Sequence, residues 1–263
     1  AIGSVIFFDR RGDLSFRWLV YPLLMVATTL CVFGYQNNRE WIIPLQQRFY
    51  DDPIVFETTT RYQHLVITRS AGRCGGGVDD IRLYINGNTQ FGSCDERVYH
   101  DNLVLPAMAL AERTERVLIL GGGDGLALRD VLRHEGVEQV TLVDLDPDMV
   151  EIARDNPFLN ELNQGALTDA RVATLDSGAV EQDGGLFDEV WLDTGRVDAD
   201  NRPVTERAAS VRRMHVDAGR FAAVTDQVFD IIIIDLPDPS TLELAKLYTA
   251  QFYADLRRKL RPG

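Results

Sequence analysis

Val117-Leu118-Ile119-Leu120-Gly121-Gly122-Gly123-Asp124-Gly125 is an apolar run that ends in a glycine-rich turn, and a helix-like segment, Leu126 to His134, follows it. Strand, tight turn and helix in that order bring a nucleotide-like ligand against bare backbone. The turn also holds an acid. Asp124 would repel a pyrophosphate, which normally sits at such a helix N-terminus. A carboxylate here suits a ligand without phosphate that carries positive charge, such as an adenosyl sulfonium, rather than a nicotinamide dinucleotide.

Outward from this turn the chain keeps an alternating rhythm. Val140-Thr141-Leu142-Val143 reads as a second strand ending at Asp144, and Asp146-Pro147 opens a helix with Asp as N-cap and Pro in the first position. Val211 to Val216 reads as a later strand before Asp217, and Phe229 to Ile234 as a fully buried parallel strand ending at Asp235. The expected class is α/β, Rossmann-like, with a mostly parallel sheet. Residues 176–210 break the rhythm with nine acids, three bases and several glycines, and read as an exposed, disordered insertion. Within it, Phe187 to Asp193 imitates the Phe229 to Asp235 strand; the later run is longer and is preferred.

Ahead of the main domain, expected over residues 99–263, a small β subdomain is expected over 51–98. Tyr62 to Thr68 is rich in β-formers, and Ile81 to Ile85 alternates into the hairpin signal Asn86-Gly87. Residues 72–77, GRCGGG, read as a flexible loop. Tyr99 to Ala111 reads as a helix leading into the first central strand. Residues 1–50 are read as a membrane segment and connector. The uncharged run Trp18 to Tyr35, with aromatic residues at both ends, has the length and flanks of a spanning helix, a buried helix being the alternative. Basic residues on its two sides nearly balance and do not fix orientation. Leu260 to Gly263 reads as the end of a helix and a turn toward another strand, so the final strands are expected to be missing.

Composition narrows the function. The 263 residues carry 40 acids against 27 bases, a net charge of −13, which argues against a nucleic-acid partner. Three cysteines show neither metal spacing nor a disulfide framework, and four scattered histidines make a metal site improbable, so none is expected. Ligands of such sheets bind beyond the carboxyl ends of the strands, where Asp124, Asp144, Asp217 and Asp235 fall. Asp144, 23 residues past Gly121, stands where an acid takes ribose hydroxyls, and Asp217 can accept from an adenine amino group. Asp235 and Asp238 flank Leu236-Pro237, whose proline stiffens the loop.

These residues form an ordered set. Tyr62-Gln63, Asn86-Gly87 with Gln90, Asp95-Glu96 with Tyr99-His100, and Gly121 to Gly125 come first. Leu142 to Asp146, Asp217-Ala218, Asp235 to Pro239, Leu247-Tyr248 and Phe252-Tyr253 follow. From about Asp52 onward, apart from the insertion, the chain resembles the polyamine aminopropyltransferases. Within them it is similar to spermidine synthases of the bacterial form with an N-terminal membrane domain. The resemblance implies a class I methyltransferase-like sheet and transfer of an aminopropyl group from decarboxylated S-adenosylmethionine to putrescine. The products would be spermidine and 5′-methylthioadenosine, with no resident cofactor. By position, Gln63, Gly121, Gly123, Asp144, Asp217 and Ala218 would hold the donor nucleoside. His100 and Asp124 would line the aminopropyl and polyamine region, Tyr99 and Asp238 would orient the amine, and Asp235 would take its proton. Asn86 stands where the family usually has Asp, and Pro239-Ser240-Thr241 replaces the Gly-Pro-Ala that follows the acidic loop in soluble members, which leaves acceptor choice open. The alternatives are methyl transfer from S-adenosylmethionine, or a non-catalytic membrane protein that senses polyamine or nucleoside. The expected setting is the cell membrane, with the catalytic domain on its cytoplasmic side and the β subdomain as a candidate homodimer surface.

Overall fold

A computed structural model describes residues 17–36, 43–169, 172–174, 190–197 and 203–262. The chain divides into two compact units, Ala1–Ile54 and Val55–Gly263. In the first, helix α1 (Arg17–Gln36) carries Pro22 as its sixth residue, past the first turn, where proline removes one helical hydrogen bond. Leu23, Met25, Val26, Leu30, Val32 and Phe33 are all exposed on it. The expected spanning helix is not met: among the described residues no helix is long and apolar enough to cross a membrane. Side chains are described only for residues 21–34 of α1, and a span needs about 20 apolar residues.

The second unit opens with strands β1 (Ile54–Thr59), β2 (His64–Cys74), β3 (Val78–Ile85) and β4 (Asn88–Gly92), which form one sheet in that order. Asn86 and Gly87 both adopt positive φ, 51° and 82°, as a two-residue hairpin turn demands, so β3 and β4 pair antiparallel. Two expectations are corrected here. Residues 72–77 are no open loop, because β2 continues to Cys74 and its tip pairs with β3 at Val78. Cys74 is also bonded to Cys94, 20 residues on, so two of the three cysteines do form a disulfide. Lone cysteines at a hairpin tip and a helix lead-in show no periodic spacing, and only the fold brings them together.

Helix α2 (Glu96–Leu110) then leads into β5 (Arg116–Gly121), α3 (Leu126–Val131), β6 (Gln139–Val143), α4 (Pro147–Asp155) and α5 (Pro157–Leu162). Asp146 caps α4 by accepting from the Asp148 amide at 3.1 Å, with Pro147 first in the helix as its sequence requires. The remaining elements are β7 (Val172–Thr174), β8 (Val190–Val197), β9 (Pro203–Ala208), β10 (Ser210–Met214), α6 (Ala218–Val224), β11 (Ile231–Asp235), α7 (Leu242–Ala245) and α8 (Ala250–Lys259).

The central sheet runs β11-β5-β6-β10-β7, every pairing parallel. Strand β5 shows why its sequence is uniformly apolar. Val117 and Ile119 enter one hydrophobic cluster while Leu118 and Leu120 enter the other, so both faces are covered. The first cluster passes from Leu65, Ile67 and Leu83 of the small sheet through Val104 and Met108 of α2 to the central strands. Helix α2 is thereby wedged between the two sheets. The insertion is the third correction. Its described parts, β8 and β9, pair antiparallel as a two-stranded ribbon instead of being disordered; residues 175–189 and 198–202 lie outside the described residues. The strand that joins β5 is β11, which begins at Ile231, two residues later than expected, while Phe229 bridges Leu260.

Candidate active site

The site forms where β5 and β11 end side by side, with Asp235 in register with Gly121. The glycines are there for room. A Cβ on Gly121 would lie 1.9 Å from the Asp235 carbonyl oxygen, and φ is +80°. A Cβ on Gly123 would lie 2.6 Å from Asp144 Oδ2. That closeness is used: the Gly123 amide donates to Asp144 Oδ2 at 3.0 Å and the Asp146 amide to Oδ1 at 2.8 Å. Burial nevertheless pushes the Asp144 carboxyl up to about 6, against those two hydrogen bonds. Asp124 accepts from the Leu126 amide at 2.9 Å, and burial raises its proton affinity too.

Helix α2 brings the next two groups. The Tyr99 hydroxyl donates to Asp235 Oδ1 at 3.1 Å, and its ring stands edge-on to His100, centroids 5.0 Å apart. His100 is 2% exposed, with Nε2 3.9 Å from Asp235 Oδ2. One ligand atom each from His100, Asp124 and Asp235 lies within 4.8 Å of the others. Burial first, then the neighbouring Asp124, raises the Asp235 carboxyl to about 7. Such crowding of like charge at a strand end is typical of sites that handle protons or cations.

The remaining expected residues are placed less centrally. Gln63 sits in the turn between β1 and β2, where its carbonyl accepts from the Thr60 amide at 2.9 Å. Thr60 donates its hydroxyl to Asp146 Oδ2 at 2.6 Å, which fastens this turn to the loop after Asp144. Asp217 is exposed and accepts from the Arg220 amide at 2.8 Å as the cap of α6. It borders a cleft of about 330 Å³ with Gly219, Lys246, Leu247 and Thr249, whereas Asp235 does not line that cleft. Ala218 is buried beneath. Asp238 is exposed on the loop after β11, and Tyr248 pins that loop by donating toward the carbonyls of Leu236 (3.1 Å) and Pro237 (2.8 Å).

Sequence reasoning gave no site role to Glu96, Arg129, Asp130 or Tyr248. Glu96 and Arg129 are 4% exposed and paired, Nη1 to Oε1 at 3.0 Å, beneath His100. The spacing of Glu96 and His100, one helical turn, was the available signal.

Comparison with known proteins fits this geometry. Residues 96–182 match the spermine/spermidine synthase domain family. The chain is 42% identical over 239 residues to polyamine aminopropyltransferase 1 of Streptomyces coelicolor and 38% identical over 237 residues to the polyamine aminopropyltransferase of Oceanobacillus iheyensis. Each alignment covers 90% of this chain and 37% of the relative, so the chain spans well under half the length of those proteins. The Mycobacterium tuberculosis polyamine aminopropyltransferase is 35% identical over all of this chain and 42% of its own length. Among solved structures, the spermidine synthase from Thermotoga maritima superposes with a TM-score of 0.54 at 24% identity, over 79% of this chain and 54% of that one. A spermidine synthase in complex with the transition-state analogue AdoDATO gives 0.55 at 23%, over 79% and 55%. Both likenesses concern the fold.

Proposed function

We propose that this chain belongs to an aminopropyltransferase that moves the aminopropyl group of decarboxylated S-adenosylmethionine to putrescine, giving spermidine and 5′-methylthioadenosine. The observation that carries the reading is Asp235: a carboxyl with proton affinity near neutrality, held by Tyr99 beside Asp124 and His100 at the glycine turn. Three acceptors converging within 4.8 Å of one another suit a primary ammonium, which offers three hydrogens.

The chemistry follows. A diamine arrives as an ammonium and cannot attack until it loses a proton. Asp235 accepts that proton, and the freed nitrogen attacks the methylene beside the sulfonium. The carbon–sulfur bond breaks, sulfur keeps the electron pair, and one proton is released overall. The sulfonium leaves as a neutral thioether, so alignment of nitrogen, carbon and sulfur is the main demand on the protein. Methyl transfer to a neutral acceptor would have no use for two carboxylates there. The full-length protein, supplied with decarboxylated S-adenosylmethionine and a panel of diamines, should release methylthioadenosine with putrescine; silence with every diamine rejects the reading.

The same proposal extends to location. Exposed apolar side chains along α1 support membrane attachment of the first unit, testable by flotation with liposomes. Exposed Val55 and Val78 on the small sheet, with Tyr62 in the turn between β1 and β2, support a homodimer, testable by sedimentation. For the catalytic domain we keep the cytoplasmic side. The Cys74–Cys94 bond weighs against it, since disulfides persist mainly in oxidising compartments. Labelling of both cysteines by a thiol reagent that enters cells, but not by one that stays outside, supports the cytoplasmic side.

A further inference from the structure

Beneath the amine-binding groups lies a buried chain of charges that the reaction itself does not use. His100 turns Nδ1 toward two acceptors on its own helix, the Glu96 carbonyl at 3.0 Å and Glu96 Oε2 at 3.1 Å. Neither can donate a hydrogen, so Nδ1 must carry one. Glu96 is not free to turn away. Arg129 grips both its oxygens, Nη1 to Oε1 at 3.0 Å and Nη2 to Oε2 at 3.2 Å. Arg129 is fixed in turn by Asp130, with two bonds of 2.9 Å, and by the Leu162 carbonyl at 2.9 Å. Arg133 holds Asp130 Oδ1 at 2.7 Å.

We propose that Glu96, clamped by Arg129, is a positioning residue that sets the tautomer of His100, keeping hydrogen on Nδ1 so that Nε2 faces Asp124 and Asp235 as an acceptor. Left alone, two carboxylates on that side would draw the hydrogen onto Nε2, and an incoming ammonium would meet a donor. With Nδ1 already protonated, Nε2 has two states. In the empty site it carries a second proton and balances the acids. When an ammonium enters, that proton leaves to solvent and Nε2 accepts from the amine instead. The groups facing the ring are Glu96 and Tyr99 from α2, Asp124 from the turn after β5, and Asp235 from β11. Arg129 and Asp130 of α3 stand behind Glu96, and Asp144 acts on Asp235 from beyond.

This role deepens the aminopropyltransferase reading and rests on it, yet one test is independent of turnover. The chain has four histidines, so labelling them with ¹⁵N gives a resolvable two-bond proton–nitrogen spectrum, with His100→Gln assigning the signal. At high pH the His100 pattern should be that of the neutral Nδ1–H form; a neutral Nε2–H pattern overturns the proposal. That measurement uses the unaltered protein and survives any folding failure of the variants. The second test is kinetic. Glu96→Gln should raise KM for at least one primary-amine substrate about tenfold, with a smaller change in kcat. In the His100→Gln background, where the amide has no tautomer to set, the same change should cost less than twofold. Equal losses in both backgrounds would mean Glu96 is merely structural. Absence of methylthioadenosine from the unaltered enzyme would sink the reaction assignment, while the spectrum would still decide the tautomer.

Discussion

Replacing Asp235 by Asn should stabilise the protein while abolishing its turnover. Moving a carboxyl from 3.8 to about 7 costs the ionised folded state about 4 kcal/mol, at 1.36 kcal/mol per pH unit. Part of that cost comes from Asp124, which relaxes once its neighbour is neutral, so a net gain of about 2 kcal/mol is expected. The gain has a defined pH course. Below pH 3.8 the carboxyl is protonated whether the chain is folded or not, and Asn offers no advantage. Between 3.8 and 7 the folded state holds its proton while the unfolded state has lost it, so rising pH destabilises the parent relative to the variant. Above 7 the difference is constant. For a unit of this size about 2 kcal/mol corresponds to a melting temperature higher by roughly 4–8 °C. Thermal melts of both proteins at several pH values from 4 to 9 measure the difference, in which titrating groups remote from Asp235 cancel. A gain that is absent at pH 8, or equally large at pH 4, would refute the claim that an ionised Asp235 strains the fold. Turnover should fall by about 10²–10⁴-fold, the range for loss of a general base.

Three further outcomes follow from the same geometry. In the parent enzyme kcat/KM for the diamine should rise with pH and level off above about 7, as the Asp235 carboxyl loses its proton; a rate that falls across that range would exclude it as the acceptor. Gly121→Ala should yield no folded protein, because its Cβ would overlap the Asp235 carbonyl at 1.9 Å and the register of β11 leaves that oxygen nowhere to go; soluble expression and circular dichroism decide. Cys94→Ser, or reduction, should cost about 3 kcal/mol for a closed loop of this length and lower the melting temperature by roughly 6–12 °C; an unchanged melt would show the bond contributes nothing.

The central strands were legible because each is a self-contained signal. Val117 to Leu120 and Ile231 to Ile234 are apolar on both faces, Asp146-Pro147 is a cap followed by its favoured first residue, and Asn86-Gly87 supplies two residues that tolerate positive φ. Where the sequence misled, the deciding partner lay far along the chain. Strand β7 has three residues and exists only by pairing with β10. Strands β8 and β9 each carry an acid and a base, and β8 a glycine, yet the two pair with each other. Cys74 and Cys94 carry no periodicity. At the site, carboxylates at strand ends could be read from strand boundaries alone. The grip of Arg129 on Glu96 spans 33 residues and could not.

The buried groups divide into two zones with opposite electrostatic character. Around Asp235 the acids outnumber their partners, and burial drives Asp144 and Asp235 toward the neutral form. One turn deeper, Glu96 meets Arg129 and His100, and these outweigh burial so that its carboxyl falls to about 2. Glu96 therefore stays charged at every working pH, while the acids above it remain poised to trade a proton for a cation. A buried ion pair seldom adds net stability compared with apolar packing. Its presence at the base of this site is better explained by the fixed charge and fixed ring orientation it provides. The crowded acids above it are destabilising when ionised until an ammonium arrives, so ligand binding and stability are linked, and a polyamine should protect this fold more at pH 8 than at pH 5.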